Sequence, residues 1–233
     1  MPQTSIRKKE TRRLYQGKTY QLMSIKNHSK LAVLILFCVA LVSMRIMYTD
    51  SRVYLFLIWN LFLGVVPFLL SKFAVLLFNR GSRLVTVICI LLCILFLPNA
   101  PYIVTDLFHL RYSKGAPIWF DSVMIFSFAL TGLVLFYRSI ENIEQISRQL
   151  MSRPFTFLTT SCVIFASAFG MYLGRYLRFN SWDIISDPLY LLHEVMERFF
   201  YPFEHTQTWG MTFIYGLFLM VVYFLMLPTE RKV

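Results

Sequence analysis

Six apolar stretches, each about 20 residues long, constrain this chain more than any other feature. A helix needs about 20 residues to cross the roughly 30 Å hydrocarbon core of a bilayer. Every backbone polar group in that core must be paired within the protein, and a helix pairs all of them within one stretch. We therefore predict an all-α membrane protein with six transmembrane helices, at residues 31–48, 53–71, 84–104, 118–137, 155–174 and 209–227.

Composition and charge agree with this class. The 233 residues are 57% hydrophobic and 15% charged, which is typical of multi-pass membrane proteins. The formal net charge of +11 is concentrated in the first 30 residues and in short loops. No recognition motif for nucleic acid accompanies this charge, so we expect the lipid bilayer as a partner and no nucleic acid.

The distribution of basic residues predicts the topology. Residues 1–30 form a basic tail, 31–227 the six-helix transmembrane domain, and 228–233 a short C-terminal tail. Sixteen Lys and Arg residues lie on the same side as the termini and seven lie on the opposite side. The positive-inside rule then predicts that both termini are cytoplasmic in a cell (plasma) membrane.

The third apolar stretch ends at two prolines. Residues 84–97 cover only about 21 Å as a helix, so the chain meets Pro98 and Pro101 while it is still at membrane depth. Each proline removes a backbone donor and clashes with the preceding turn, and Ala100 is pushed toward extended geometry. Irregular backbone at this depth occurs only where protein covers it or where it lines a wet cavity. We therefore predict that the third helix is broken at Pro98/Pro101 and opens a polar pocket.

Polar residues that are costly at membrane depth follow this break and the end of the fifth stretch. Arg175 and Arg178 are three residues apart, so on a continuing helix they point the same way and could hold a phosphate or carboxylate. Alternatively they reach to the interface, or Asp183 neutralises them. Asn60 has a structural alternative, which is to hydrogen-bond the backbone that the prolines leave unpaired. The predicted ligand-binding residues are Asn60, Asn99, Tyr102, Asp106, His109, Arg175, Arg178, Asn180, Trp182 and Asp183.

The segment before the sixth stretch predicts an amphipathic helix at residues 188–201. Asp187 and Pro188 form a favourable helix start. An apolar stripe is opposed by charged residues, which is typical of a helix that lies on a membrane surface. A lid over the pocket is the alternative. The stripe consists of Leu189, Leu192, Met196 and Phe199.

Metal chemistry has weaker support in the sequence. Glu197 stands where the second histidine of a zinc-protease helix would follow His193. Asp106 and His109 could be two metal ligands with His193 as a third. We expect no cofactor. We also expect no disulfide and no metal at the cysteines, because all four lie in apolar stretches, at Cys38, Cys89, Cys93 and Cys162.

Two long motifs resemble the signatures of a family of uncharacterised bacterial membrane proteins that is known as a domain of unknown function. They are LPNAPYIVTDLFHL at 97–110 and YLGRYLRFNSWD at 172–183, and Trp59-Asn60 fits a shorter third motif. The resemblance covers residues 31–227 and implies a multi-pass protein of the bacterial cell membrane. It implies no activity, substrate or catalytic residue.

Three functions stay open from the sequence. The first is an outward-facing pocket that binds or transports an anionic amphiphile or a small anion. The second is a metal-assisted hydrolase or transferase of the outer leaflet that uses Asp106 and His109. The third is an accessory or assembly subunit in which the polar groups only satisfy one another. The oligomeric state is not indicated.

Overall fold

The structure, a computed structural model, describes residues 29–112 and 115–226. All regular structure within these residues is helical. The elements are α1 (Ser29–Thr49), α2 (Leu55–Asn79), α3 (Arg83–Phe96), α4 (Asn99–Tyr102), a 3₁₀ helix (Ile103–Tyr112), α5 (Ile118–Leu150), α6 (Arg153–Tyr176), α7 (Asp183–Ser186), α8 (Pro188–Phe200) and α9 (Thr206–Met226).

Six of these helical stretches are long and apolar enough to cross a membrane, and they confirm the predicted fold class. They are α1, α2, the continuous run Arg83–Leu110, α5, α6 and α9. The helix α5 has 33 residues and continues well past the predicted span, because its polar second half remains helical. The predicted basic tail, apart from Ser29 and Lys30, and the predicted C-terminal tail lie outside the described residues.

The third span changes its helix type at the prolines and keeps helical backbone angles. Leu97 has φ −56° and ψ −37°, and Pro98 has φ −57° and ψ −27°. Ala100 lies within α4, so the expectation of extended backbone at this residue was wrong. The φ angle that proline imposes suits a helix, and what the prolines remove is backbone donors. The span therefore proceeds from α3 through one turn of α4 into the 3₁₀ helix.

Two glycines allow α4 to pack against the centre of the bundle. A Cβ atom on Gly132 of α5 would overlap the carbonyl oxygen of Ala100. A Cβ atom on Gly64 of α2 would lie 3.3 Å from the Cα of Ala100. Ala100 and Ile103 are fully buried there. The backbone of α4 thus occupies space that any larger residue at Gly132 would take.

Two further glycines, on α6, face the same segment from the other side. A Cβ atom on Gly170 would lie 2.6 Å from Cγ of Pro98, and one on Gly174 would lie 3.2 Å from Cε2 of Tyr102. Since glycines four residues apart share a helix face, α6 presents a smooth surface to α4.

The helix α1 is joined to α5 by a buried ion pair. Nε of Arg45 donates to Oδ1 of Asp121 at 2.8 Å, and Nη2 donates to Oδ2 at 3.2 Å. The side chains are 2% and 0% exposed. The guanidinium also lies 4.3 Å from the ring centroid of Tyr54. This bidentate geometry fixes the position of α1 on the bundle.

A second buried carboxylate joins α5, α6 and α9 at the opposite end of the bundle. Glu144 accepts hydrogen bonds from Thr160 at 3.0 Å, from Arg148 at 2.9 Å and from the hydroxyl of Tyr223. Glu144 lies on α5, and two of its donors, Thr160 and Tyr223, lie on α6 and α9. This cluster therefore holds three helices together.

Candidate functional site

A cavity of about 590 Å³ lies at the end of the bundle where α2 begins and α6 ends, which we call the cavity end. Its walls come from α2, α3, α4, the 3₁₀ helix and α6, the loop after α6, and Leu191 of α8. Seven of the ten predicted ligand residues line it, namely Asn60, Asn99, Tyr102, His109, Arg175, Arg178 and Asn180.

Asp106 does not line the cavity, and its carboxylate is hydrogen-bonded to two other side chains. Its side chain is 1% exposed, and its Oδ1 accepts a 2.6 Å hydrogen bond from Nη2 of Arg175. Its Oδ2 accepts a 2.8 Å hydrogen bond from Nδ2 of Asn60. Nδ1 of His109 lies 3.9 Å from Oδ1 and 3.3 Å from the backbone oxygen of Asp106. Asp106 therefore positions Arg175 and Asn60 beside the cavity.

The structural alternative for Asn60, which was to pair the backbone at the prolines, was wrong. Its amide points to the carboxylate of Asp106 instead. Two carbonyl oxygens at the end of α3 accept side-chain hydrogen bonds, one from the same span and one from the loop after α6. Nδ2 of Asn99 donates to the oxygen of Phe96 at 2.9 Å, and Oγ of Ser181 donates to the oxygen of Leu95 at 3.3 Å.

Ser181 also ties the loop after α6 to α4. Nδ2 of Asn99 donates to Oγ of Ser181 at 2.8 Å. Sequence reasoning missed Ser181. Its only distinguishing feature in the sequence is a small polar side chain among the larger side chains of the 172–183 motif. The contact sets the distance between the two walls of the cavity.

Arg175 is held on three sides. Nε of Arg175 donates to Oγ1 of Thr105 at 2.8 Å, and this hydroxyl donates to the backbone oxygen of Tyr102 at 2.6 Å. The guanidinium lies 4.7 Å from the ring centroid of Tyr102 and 5.7 Å from that of Phe108. Sequence reasoning missed Thr105, although it precedes Asp106 directly. Arg175 borders the cavity with its charge already balanced by Asp106.

Arg178 differs from Arg175 in its backbone conformation, its exposure and its partners. The helix α6 ends at Tyr176, and Arg178 has φ +61°, the left-handed region where a helix usually ends with glycine. The prediction that Arg175 and Arg178 lie on one helix face was therefore wrong. The side chain of Arg178 is exposed, and within residues 29–112 and 115–226 it has no ion pair and no hydrogen bond. Both arginines nevertheless border the same cavity.

Asp183 and Trp182 do not line the cavity. Oδ2 of Asp183 accepts a 2.7 Å hydrogen bond from the backbone nitrogen of Asn180, and Oδ1 accepts one from Ser186 at 3.0 Å. Asp183 thus closes a local turn, and the alternative that it neutralises the arginines was wrong. Trp182 is 39% exposed.

The helix α8 forms where the sequence predicts it. Oδ1 of Asp187 accepts a 3.4 Å hydrogen bond from the backbone nitrogen of Tyr190, and Pro188 begins the helix. All four residues of the predicted apolar stripe are exposed, namely Leu189, Leu192, Met196 and Phe199, and so are Tyr190 and Phe200. One apolar residue of α8, Leu191, faces the cavity, so α8 covers part of it.

The structure does not assemble the predicted metal ligands. In the part of the chain that the structure describes, no third potential ligand joins Asp106 and His109. His193 groups instead with Glu194 and Glu197, its neighbours on α8, with ligand atoms within 4.8 Å of one another. Exposed groups of this kind on one helix are common without a metal.

These six spans define an integral, multi-pass membrane protein that contacts the lipid bilayer. A family model described as "Protein of unknown function (DUF1361)" matches residues 59–222. The chain belongs to this family, and the resemblance to a domain of unknown function is thereby confirmed. No curated protein and no solved structure matches the chain significantly.

Proposed function

We propose that the cavity binds a phosphate or carboxylate group, either as the headgroup of an amphiphile or as a small anion. The protein retains or transports this ligand. The observation that carries this proposal is Arg178. It is a cation at the rim of a cavity, it has no ion pair among the described residues, and its backbone is in a conformation that costs a non-glycine residue about 1–3 kcal/mol. Strain of this kind is concentrated at functional sites.

The surrounding groups suit an anion. Arg175 is neutralised by Asp106, so the charge of Arg178 is left over at the cavity. A guanidinium offers a planar fork of donors that fits phosphate or carboxylate. Asn180 and His109 add polar side chains to the lining of the same cavity. The excess of basic residues on the side of the termini supports a cavity end that faces outward.

Replacing Arg178 by glycine tests the proposal without endangering the fold. Glycine adopts a positive φ freely, so we expect the free energy of unfolding to stay the same or to rise by up to about 1 kcal/mol. The loss of a charge-assisted contact should weaken binding of dodecyl phosphate and inorganic phosphate at least about tenfold. Native mass spectrometry from mild detergent measures both bound fractions.

Arg52→Gln is the matched control. Arg52 is an exposed arginine in the loop between α1 and α2, at the same end of the bundle and outside the cavity lining. We expect this variant to bind both probes like the parent protein. Equal weakening by the Arg52 and Arg178 substitutions would mean that phosphate responds only to the overall surface charge, and it would refute the proposal.

An accessory or assembly subunit is a second candidate. The mutual saturation of Asp106, Arg175 and Asn60 favours it, since these groups need no ligand to be satisfied. This candidate predicts that neither phosphate probe binds the parent protein at all. We do not propose the metal-assisted enzyme further, because the described residues offer no third ligand beside Asp106 and His109.

A further inference from the structure

The cavity extends far below its charged rim. Along α6 its wall runs from Arg175 back to Ala166, nine residues or about 14 Å of helix. Along the third span it runs from Tyr102 back to Ile94. The lining of this deep part is apolar, with Leu63, Ile94, Leu95, Ala166, Phe169 and Leu173.

The deep part also opens toward the membrane. Ala166 lies near the middle of the spanning helix α6 and is nevertheless exposed. Ile94 and Leu95 on the opposite wall are only half-buried. The helix α3, which carries them, contributes to a small separate apolar cluster rather than to the main core. Because Ala166 lines the cavity and is exposed at this depth, it marks an opening of the slot that would give access to the acyl region of the bilayer.

The upper part of the same cavity opens to the polar surface. Arg178 and Asn180 are both exposed at the rim. One continuous space therefore has a cationic end in contact with water and an apolar end in contact with lipid. A hydrated anion would use only the first end, whereas an amphiphile would use both.

We infer, on the basis of the proposed function, that the ligand is a phosphate or carboxylate that bears a hydrocarbon chain and enters laterally from the bilayer. The headgroup lies at Arg178. The chain lies in the slot between α3 and α6, against Ile94 and Phe169, and points toward Ala166. The free anion without a chain binds only weakly.

A series of alkyl phosphates from butyl to dodecyl tests the slot. Each methylene that enters an apolar slot should raise the affinity about fourfold, until the slot is filled and the affinity levels off. Ala166→Phe should make the affinity level off at a shorter chain and leave the affinity for butyl phosphate unchanged. Native mass spectrometry of the full chain, at fixed concentrations of each probe, gives the apparent affinities.

Two controls separate the slot from other causes. Cys162→Phe places the same ring on an exposed position one turn away on α6, outside the cavity lining, and should not change the chain-length dependence. Alkanols of the same lengths measure partition into the detergent. Thermal unfolding of each variant verifies that the fold is retained.

The possible failures are distinguishable. If Arg178→Gly weakens every phosphate but chain length has no effect, the chain inference is overturned and the anion site stands. If chain length matters equally for alkanols and for phosphates and Ala166→Phe does not change it, the dependence reflects the detergent and the chain inference is overturned. The proposed function is overturned if Arg178→Gly binds every phosphate like the parent protein. If Ala166→Phe and Cys162→Phe behave alike, the chain does not lie in this slot.

Discussion

Replacing Asp106 by asparagine is expected to lower the free energy of unfolding by about 3 kcal/mol, at the lower end of the range for a broken buried ion pair. Asparagine keeps the shape but removes the charge that faces Arg175, and its amide nitrogen then meets the donor of Arg175 or of Asn60. The loss stays at the lower end because Arg175 is 15% exposed and keeps its bond to Thr105. Unfolding by a denaturing detergent, followed by tryptophan fluorescence, measures the change.

A double-mutant cycle identifies the ion pair as the cause. Asp106→Asn combined with Arg175→Gln should cost at least about 1 kcal/mol less than the sum of the two single substitutions. The matched control is Glu141→Gln, which breaks a 2.9 Å ion pair with Arg138 whose side chains are 40% and 66% exposed. That loss should stay below about 1 kcal/mol, since exposed ion pairs contribute little. Additive losses at Asp106 and Arg175 would contradict the coupling that the geometry implies.

The number and type of spans could be predicted because the bilayer itself imposes them. A stretch of about 20 apolar residues has one stable conformation in hydrocarbon, whatever its neighbours are. The helix start at Asp187 and Pro188 could also be predicted, because a capping side chain and a proline act within one turn of the helix. Both inferences needed no knowledge of tertiary contacts.

The end of α6 could not be predicted in the same way. Glycine is the usual signal for a left-handed residue after a helix, and this chain has Arg178 there. A continuing helix was therefore the natural expectation, and it wrongly placed Arg178 on the face of Arg175. Departures from local rules of this kind concentrate at functional or strained sites.

The pairing within the candidate site also depended on tertiary packing. Asn60, Asp106 and Arg175 come from α2, the 3₁₀ helix and α6. The sequence showed that each was costly at membrane depth, but their separations along the chain contained no information about which would meet. The same holds for Ser181, whose partner Asn99 is 82 residues away.

Two of the four glycines around α4, Gly64 and Gly132, are the least visible part of the arrangement in the sequence. Gly64 and Gly132 lie on different helices and form no local motif. Only the position of the Ala100 backbone explains why both are small. Their substitution therefore gives a direct test of how α4 is seated.

Gly132→Ala is expected to lower the free energy of unfolding by about 3 kcal/mol, at the upper end of typical overpacking costs. The added methyl group would overlap the carbonyl oxygen of Ala100, and a backbone atom cannot rotate away. The helix α4, which carries Asn99 and Tyr102 of the cavity wall, must then shift. Denaturing-detergent unfolding measures the stability, and binding of dodecyl phosphate should weaken in the same variant.

A graded series of glycine substitutions makes this prediction specific. Gly210→Ala, on α9 with nothing within 4 Å of the added atom, should stabilise the protein by about 0.5–1 kcal/mol because alanine favours a helix. Gly64→Ala, whose added atom would lie 3.3 Å from the Cα of Ala100, should change the free energy of unfolding by an amount between those of Gly132→Ala and Gly210→Ala. Ala100→Gly should not rescue Gly132→Ala, since the atom in conflict belongs to the backbone. Equal effects at Gly132 and Gly210 would show that α4 is not seated against α5, and the cavity wall built on it would then lose its support.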